Sequence, residues 1–346
     1  MSELWFAVVA VMVAAYVVLD GFDFGAGALH LFVARTDRER REVLSAIGPY
    51  WDGNEVWLLA IGGVLFLAFP KVLASGLSGF YFAIFLVLWT LILRGLAIEF
   101  RSHLGHPLWR AALDGGFAVA SMAMPVLLGA ALGNLLRGVP LDENGWFSLG
   151  LFSDFTTSGA VGILDWYTVL VGVFAAIAIT THGAVFLLWK TAGLVHDRLR
   201  AAAMPLALTT LVLWPVLTVA TAVVNRTMYE GLASRPLAWL GLLLAVGGVV
   251  ALLIGLRRGR PLMPFLGSSA FLVGLLAATA ALVFPVMLRS TMNDALSLTA
   301  YNSAVPAASL RTALGWWLVA LPLAVSYFVW IFRVHQGKVV VDSSGH

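Results

Sequence analysis

The sequence predicts an all-α polytopic membrane protein, and three observations carry that prediction. Charged residues make up only 11% of the 346 residues, less than half of the roughly 25% typical of soluble domains. Hydrophobic residues make up 61% and mean hydropathy is +0.94. Apolar runs near the ~20 residues that cross a bilayer as a helix recur along the whole chain, without the short alternating segments of a β-barrel. The chain therefore reads as one integral membrane domain, 1–346, with no linker and no second soluble domain.

Nine spans are expected. The first, 5–31, follows MSELWF, whose lack of a basic n-region marks it as a retained span rather than a signal peptide. It ends in LDGFDFGAG (19–27). The second, 56–76, follows the acidic stretch WDGNE (51–55) and contains LFLAFPKVL (65–73). The third, 79–100, ends in LRGLAIEFRSH (93–103), and the fourth covers 114–136. The longest polar connection, 137–164, leads to the fifth, 163–189, which holds ITTHGAV (179–185). The sixth and seventh are 206–225 and 237–256. The eighth, 264–287, runs into ALVFPVMLR (281–289), a faint parallel echo of 65–73, and the ninth is 313–333.

Basic residues set the orientation. Arg35, Arg38, Arg40 and Arg41 follow the first span, Arg101 and Arg110 the third, and Lys190, Arg198 and Arg200 the fifth. Arg257, Arg258 and Arg260 follow the seventh, and Arg333 and Lys338 the ninth. That is fourteen against six on the other side. The positive-inside rule puts the N-terminus outside and the C-terminus in the cytoplasm. The net charge of +3 and pI of 9.4 are accounted for by these loops, so no nucleic-acid partner is implied.

Ionisable groups at membrane depth are costly, and each is a functional candidate. Asp20 and Asp23 lie three apart on one face of the first span, with Gly21, Gly25 and Gly27 allowing close helix approach. Asp52 and Glu55, with Trp51 and Asn54 between and beside them, open the second span. Arg94 and Glu99 lie near the end of the third and His182 in the fifth. Given the orientation, all fall in the cytoplasmic half of the bilayer and are expected to form one cluster. Each also has a plain structural alternative. Asp52 and Glu55 fit a D-x-x-E capping box, and Asp23 with Arg94 fits a buried structural pair. His182 fits a hydrogen-bonded packing residue, and Asp20 fits a side chain snorkelling to the interface.

Several chemistries are excluded. Without cysteine there are no disulfides, thiolate metal sites or iron–sulfur clusters. No phosphate loop, dinucleotide fingerprint or zinc motif occurs. His30, His103, His106, His196 and His335 fall at helix ends or in loops, which leaves His182 alone at depth and argues against a bis-histidine heme within this chain.

The stretches GFDFGAG (21–27), 40–70 with its GPYWDGNEVW, 79–103, GNLLRGVP (133–140), THGAVFLLWKT (181–191) and RSTMNDALSLTAYNS (289–303) resemble subunit II of cytochrome bd-type quinol oxidases, in order and over nearly the whole chain. The resemblance implies two four-helix bundles plus one peripheral helix. It implies a heterodimer in the bacterial inner membrane that oxidises quinol, reduces dioxygen to water and takes protons from the cytoplasm. Hemes b and d and the quinol site would lie in subunit I, with a small single-span accessory subunit and membrane lipids as further partners, and room for a structural quinone or lipid. Asp52 matches the aspartate at the mouth of the cytoplasmic proton pathway, and Asp23, Arg94 and Glu99 match polar positions beside it. Glu55 and His182 stand where some relatives carry glutamine, and Glu99 where some carry aspartate. Residues 225–236 replace a longer loop of some relatives. The alternative from another class is a proton-coupled secondary transporter with the buried acids as its coupling site, although such proteins favour inverted repeats and broken helices at the midplane.

Overall fold

The structure is a computed structural model and describes residues 1–339. Twelve α-helices are present among the described residues: α1 (Ser2–Val33), α2 (Asp37–Ile47), α3 (Trp51–Ala68), α4 (Pro70–Gly79), α5 (Tyr81–Phe100), α6 (Pro107–Arg137), α7 (Trp166–Lys190), α8 (Gly193–Val224), α9 (Thr227–Glu230), α10 (Pro236–Arg258), α11 (Leu262–Val283) and α12 (Ala307–Val334). Eight of them, α1, α5, α6, α7, α8, α10, α11 and α12, are long and apolar enough to cross a membrane. The chain is a multi-pass membrane protein.

Several helices overrun the expected spans, because hydropathy reads the bilayer whereas the helix stops only where its hydrogen bonds stop. Thus α6 starts at Pro107, in the first turn where a missing N–H costs nothing, with the His106 ring accepting from Leu108 N. The start of α8 lies at Gly193 rather than at 206, taking in the charged segment before the apolar run. The expected second span, 56–76, is not one helix. Pro70 interrupts it after Phe69, giving α3 and α4. The sequence echo at 281–289 behaves differently: α11 ends at Val283 and the chain continues into β1 (Val286–Leu288), paired antiparallel with β2 (Leu298–Thr299). The 137–164 connection packs Val139, Leu141, Phe147 and Ile163 against Leu288 and Leu298 of this hairpin.

Helices α1, α3, α5 and α6 pack side by side, and α7, α8, α10 and α11 form a second group. The seam between them is α7 against both α1 and α6. A Cβ at Gly25 would overlap the backbone of Ile179 and Gly183, and one at Gly183 would overlap the backbone at Gly25, so only glycine permits this approach. At Gly21 and Gly27, by contrast, the neighbours are side chains, those of Ile179 and Ser121.

Helix α12 stands at the edge and is tied at both ends, at its first turn by Trp5 Nε1 donating to the Leu310 carbonyl (3.1 Å) and at its last by aromatic packing. Phe332 stacks on Tyr50 at 4.6 Å, Phe328 lies 6.0 Å from Trp57, and the Tyr327 ring covers Gly53. The buried Lys190 ammonium donates to the Tyr50 hydroxyl (2.9 Å) and to the His335 carbonyl (2.5 Å), while Val339 N donates to the Lys190 carbonyl (2.8 Å). Short helix α2 caps the neighbouring end. Thr36 Oγ1 accepts from Glu39 N, and the Glu39 carboxylate accepts from the N–H groups of Thr36 (3.0 Å) and Arg35 (2.6 Å). Arg198 of α8 reaches the same carboxylate at 2.9 Å and also caps α1 through the Val33 carbonyl at 2.6 Å.

Two predictions follow from this packing. Gly25→Val should prevent α1 from seating on α7 and abolish monodisperse protein in size-exclusion chromatography, whereas Gly62→Ala, with open space around it, should leave the profile unchanged. The second concerns Glu39, whose carboxyl is held down from the ordinary 4.5 to about 2, first by the Arg198 hydrogen bond and then by the Arg35 and Thr36 N–H groups, against burial. A depressed folded-state value adds stability that is complete above about 4.5 and drains away as pH falls towards 2. Glu39→Gln should therefore cost about 1–2 kcal/mol at neutral pH, and thermal melts of variant and parent should converge on acidification through that window.

Candidate functional site

The polar side chains of α1, α3 and α5 meet around Arg94. This guanidinium is fully buried and donates to Asp20 Oδ1 at 2.6 Å and to Glu55 Oε2 at 2.9 Å. It also lies 4.2 Å from the Phe24 ring centre, a cation–π placement that adds to its neutralisation. Asp23 sits one turn along α1 and accepts from Asn54 Nδ2 at 2.7 Å, while the same amide donates to the Leu19 carbonyl at 3.0 Å. Asp20, Asp23, Asn54 and Arg94 are all 0% exposed. Burying charges in this way is tolerable only when the partners are close and hydrogen-bonded.

The geometry revises the expected pairings. Arg94 pairs with Asp20 and Glu55, not with Asp23. Three residues per near-turn put both acids on one face, and α5 crosses that face at Asp20. Asp20 does not snorkel; it is the most tightly held acid of the group. The capping box expected at Asp52 is absent: α3 begins at Trp51 and has Tyr50 at its cap without a side-chain cap bond. That leaves Asp52 inside the first turn, where the helix dipole favours an acid. The capping boxes lie elsewhere, at Thr36 with Glu39 and at Asp165 with Thr168.

Three expected members fall outside the buried group. Asp52 is exposed and engages no side chain among the described residues. Glu99 is also exposed and contributes only its backbone carbonyl, which lies 2.9 Å from His103 Nδ1. His182 is buried in another cluster, with Nδ1 2.7 Å from Ser268 Oγ, Nε2 2.9 Å from the Val18 carbonyl, and its ring stacked on Phe265. Trp51 packs its ring against α5 at Gly95. Glu55 bridges the two environments, since its carboxylate is bonded to Arg94 yet its side chain is 26% exposed.

A second buried ionic group escaped the sequence reading. Asp114 of α6 accepts from Arg101 (2.6 and 3.1 Å) and Arg40 (2.9 Å) and lies 2.7 Å from His30 Nε2. Arg101 also bonds Asp37 at 2.9 Å. His30, expected at a helix end, is 0% exposed. The available signal is Asp114 itself, an acid at the start of an apolar run in LDGG (113–116), opposite arginines that also mark orientation.

Axial ligation of a heme does not fit His182, both of whose ring nitrogens are engaged by protein partners. No group of three or more potential metal ligands occurs among the described residues. The helix break at Phe69–Pro70 lies about 20 Å along α3 from Glu55. The acids are thus not at a broken-helix midplane site of the transporter type.

Comparison with known proteins gives a consistent answer. Residues 1–335 match the family model for cytochrome bd terminal oxidase subunit II. The chain is 34% identical over 366 aligned residues to the cytochrome bd-I ubiquinol oxidase subunit 2 of Escherichia coli strain K12, covering 98% of this chain and 95% of that one. It is 30% identical over 344 residues to the cytochrome bd ubiquinol oxidase subunit 2 of Bacillus subtilis strain 168, covering 98% and 97%. A chain of the bd oxidase structure from Geobacillus thermodenitrificans shares the fold with a TM-score of 0.74 at 17% identity, over 96% of this chain and 98% of that one. The chain belongs to the cytochrome bd terminal oxidase subunit II family.

Proposed function

We propose that this chain is the non-heme subunit of a quinol:oxygen oxidoreductase in the bacterial inner membrane, and that it contributes complex assembly and a cytoplasmic proton-uptake pathway. In this reading α3 and α4 together make a ninth span, the N-terminus lies outside, and the arginine-rich end of the bundle faces the cytoplasm. The heme-bearing subunit I supplies hemes b and d and the quinol site. A single-span accessory subunit completes the complex. A cavity of about 710 Å³ at the other end, lined by apolar side chains with Arg235 and Arg289 at its edge, has the size for part of a structural quinone or lipid.

The observation that carries the reading is Glu55. One carboxylate belongs both to the buried Arg94–Asp20 pair and to the exposed surface, so it joins water at the arginine-rich end to acids at membrane depth. A carboxylate in such a position can accept and pass protons once partly desolvated. Asp52, three residues earlier and exposed, is the collector, and Asn54 ties the same turn to Asp23. In this reading Glu99 and Trp51 belong to the rim of this mouth, and His182 supports the packing behind it.

A mild-detergent pull-down from the native membrane should bring a second large membrane subunit and show heme bands in a reduced-minus-oxidised spectrum. Colourless, partner-free protein would overturn the assignment. Asp52→Asn should slow oxygen consumption by up to about tenfold, less than the ~10²-fold or more of an obligatory proton-transfer group, because Glu55 remains as a second acid. Heme content should stay unchanged. Arg94→Leu strands buried carboxylates at a cost of about 3–5 kcal/mol, and should instead abolish recovery of the assembled complex.

A further inference from the structure

Six buried polar atoms lack a hydrogen-bond partner and lie on α1 or against it: the Tyr16 hydroxyl, Asp20 Oδ2, Asp23 Oδ1, Asn54 Oδ1, Ser121 Oγ and His30 Nδ1. Every other such side-chain atom among the described residues is an arginine Nε. Positions 16, 20, 23 and 30 fall on a single stripe of a helix, with 27 as the missing step. Residue 27 is glycine, and Ser121 of α6 occupies the place of its side chain, since a Cβ there would overlap the serine. Polar atoms thus recur at every turn for about 21 Å, at 1.5 Å per residue. Native interiors leave few buried polar atoms unpaired, and those without protein partners are ordinarily bridged by ordered water. Successive members of the stripe are about 4.5–6 Å apart along the axis, a separation that one water spans.

The chemistry of His30 gives the stripe a direction. Asp114 is held as an anion by Arg101 and Arg40 and can only accept, so the hydrogen in its 2.7 Å contact with His30 belongs to Nε2. In the neutral ring Nδ1 is then a bare acceptor. It lies one turn from the arginine-rich end of α1, beside Phe117 of α6. An oriented imidazole with a free nitrogen can take up and return a proton.

We propose that α1 carries a water-bridged proton relay, with His30 as the proton-holding group at its cytoplasmic end and Ser121 as the link to Asp23 and Asp20. The relay rests on the proton-uptake reading above and adds to it a route separate from Asp52 and Glu55. Nδ1 is itself buried, so it takes its proton from a hydronium of the bridging chain, making an imidazolium and leaving neutral water. It returns that proton to the water hydrogen-bonded to Ser121 Oγ, and the hydronium so formed protonates the Asp23 carboxylate. No electrons move, and each carrier regains its starting state as the proton passes on.

Three variants of the purified oxidase complex test this, with time-resolved proton uptake on oxygen addition measured beside heme content and the electron-transfer phases. Ser121→Ala removes only an unpartnered hydroxyl. His30→Gln keeps a donor for Asp114 while removing the base. Each should slow proton uptake by about twofold, the parallel Asp52–Glu55 route carrying the rest, with heme content and electron transfer preceding proton uptake unchanged. Asp23→Asn reports on the acid cluster itself. If Asp23→Asn slows uptake and the other two do not, the relay is wrong and the cluster reading stands. If all three take up protons at the parental rate, both fall. Should His30→Gln fail to assemble, Ser121→Ala decides alone: slowed uptake supports the relay and an unchanged rate overturns it.

Discussion

A guanidinium at membrane depth has to be neutralised, and the architecture follows from how Arg94 is. Its two carboxylates come from two other helices, Asp20 from α1 and Glu55 from α3. Because the alternative is an uncompensated charge in a medium of low polarity, rotation or sliding of any one of the three helices is strongly opposed. Apolar contacts alone would not impose this, since lipid tails solvate a leucine as well as another leucine does. Once α1, α3 and α5 are locked in register, Asn54 is brought to Asp23 and the first turn of α3 is fixed at the arginine-rich end.

Helix α1 then has two unlike sides. One carries Asp20, Asp23 and His30 towards α3, α5 and α6. The other carries Gly21, Phe22 and Gly25 towards α7, with Phe22 stacked on Phe186 at 4.0 Å. The polar side is held by directional bonds and the apolar side by backbone proximity. Glycine on the second side lets α7 come close without disturbing the first. Two ionic groups, one at Arg94 and one at Asp114, therefore share a single straight element whose position is set from both sides.

The sequence made the number and direction of apolar runs legible, because a bilayer imposes a length and a composition that few other constraints mimic. It did not show which acid meets which base. Asp20 and Asp23 are equivalent by spacing, and only the crossing of α5 at Arg94 distinguishes them. The start of α3 was misread for a related reason: D-x-x-E at 52–55 matches a capping box, yet the helix already begins at Trp51, continuous with the turn after α2. Thr36 with Glu39 has the same signature and forms the box. Pro70 lay in plain view within an expected span, but hydropathy averages over it, whereas the backbone cannot. Asp114 was hidden by being counted as a span boundary, and Arg101 and Arg40 by an orientation rule that treats arginine as solvated.

The clasp between Lys190 and the far end of the chain has a consequence for how the protein is made. Chains emerge N-terminus first, so the Tyr50 hydroxyl and Trp189 ring beside the Lys190 ammonium are made well before its other acceptor, the His335 carbonyl. Until α12 has been synthesised and inserted, Tyr50 and the first turn of α3 lack the cover of Phe332, Phe328 and Tyr327. The first turn of α3 therefore gains its cover only once α12 is in place, and a truncated translation product carries the acids without that surface around them.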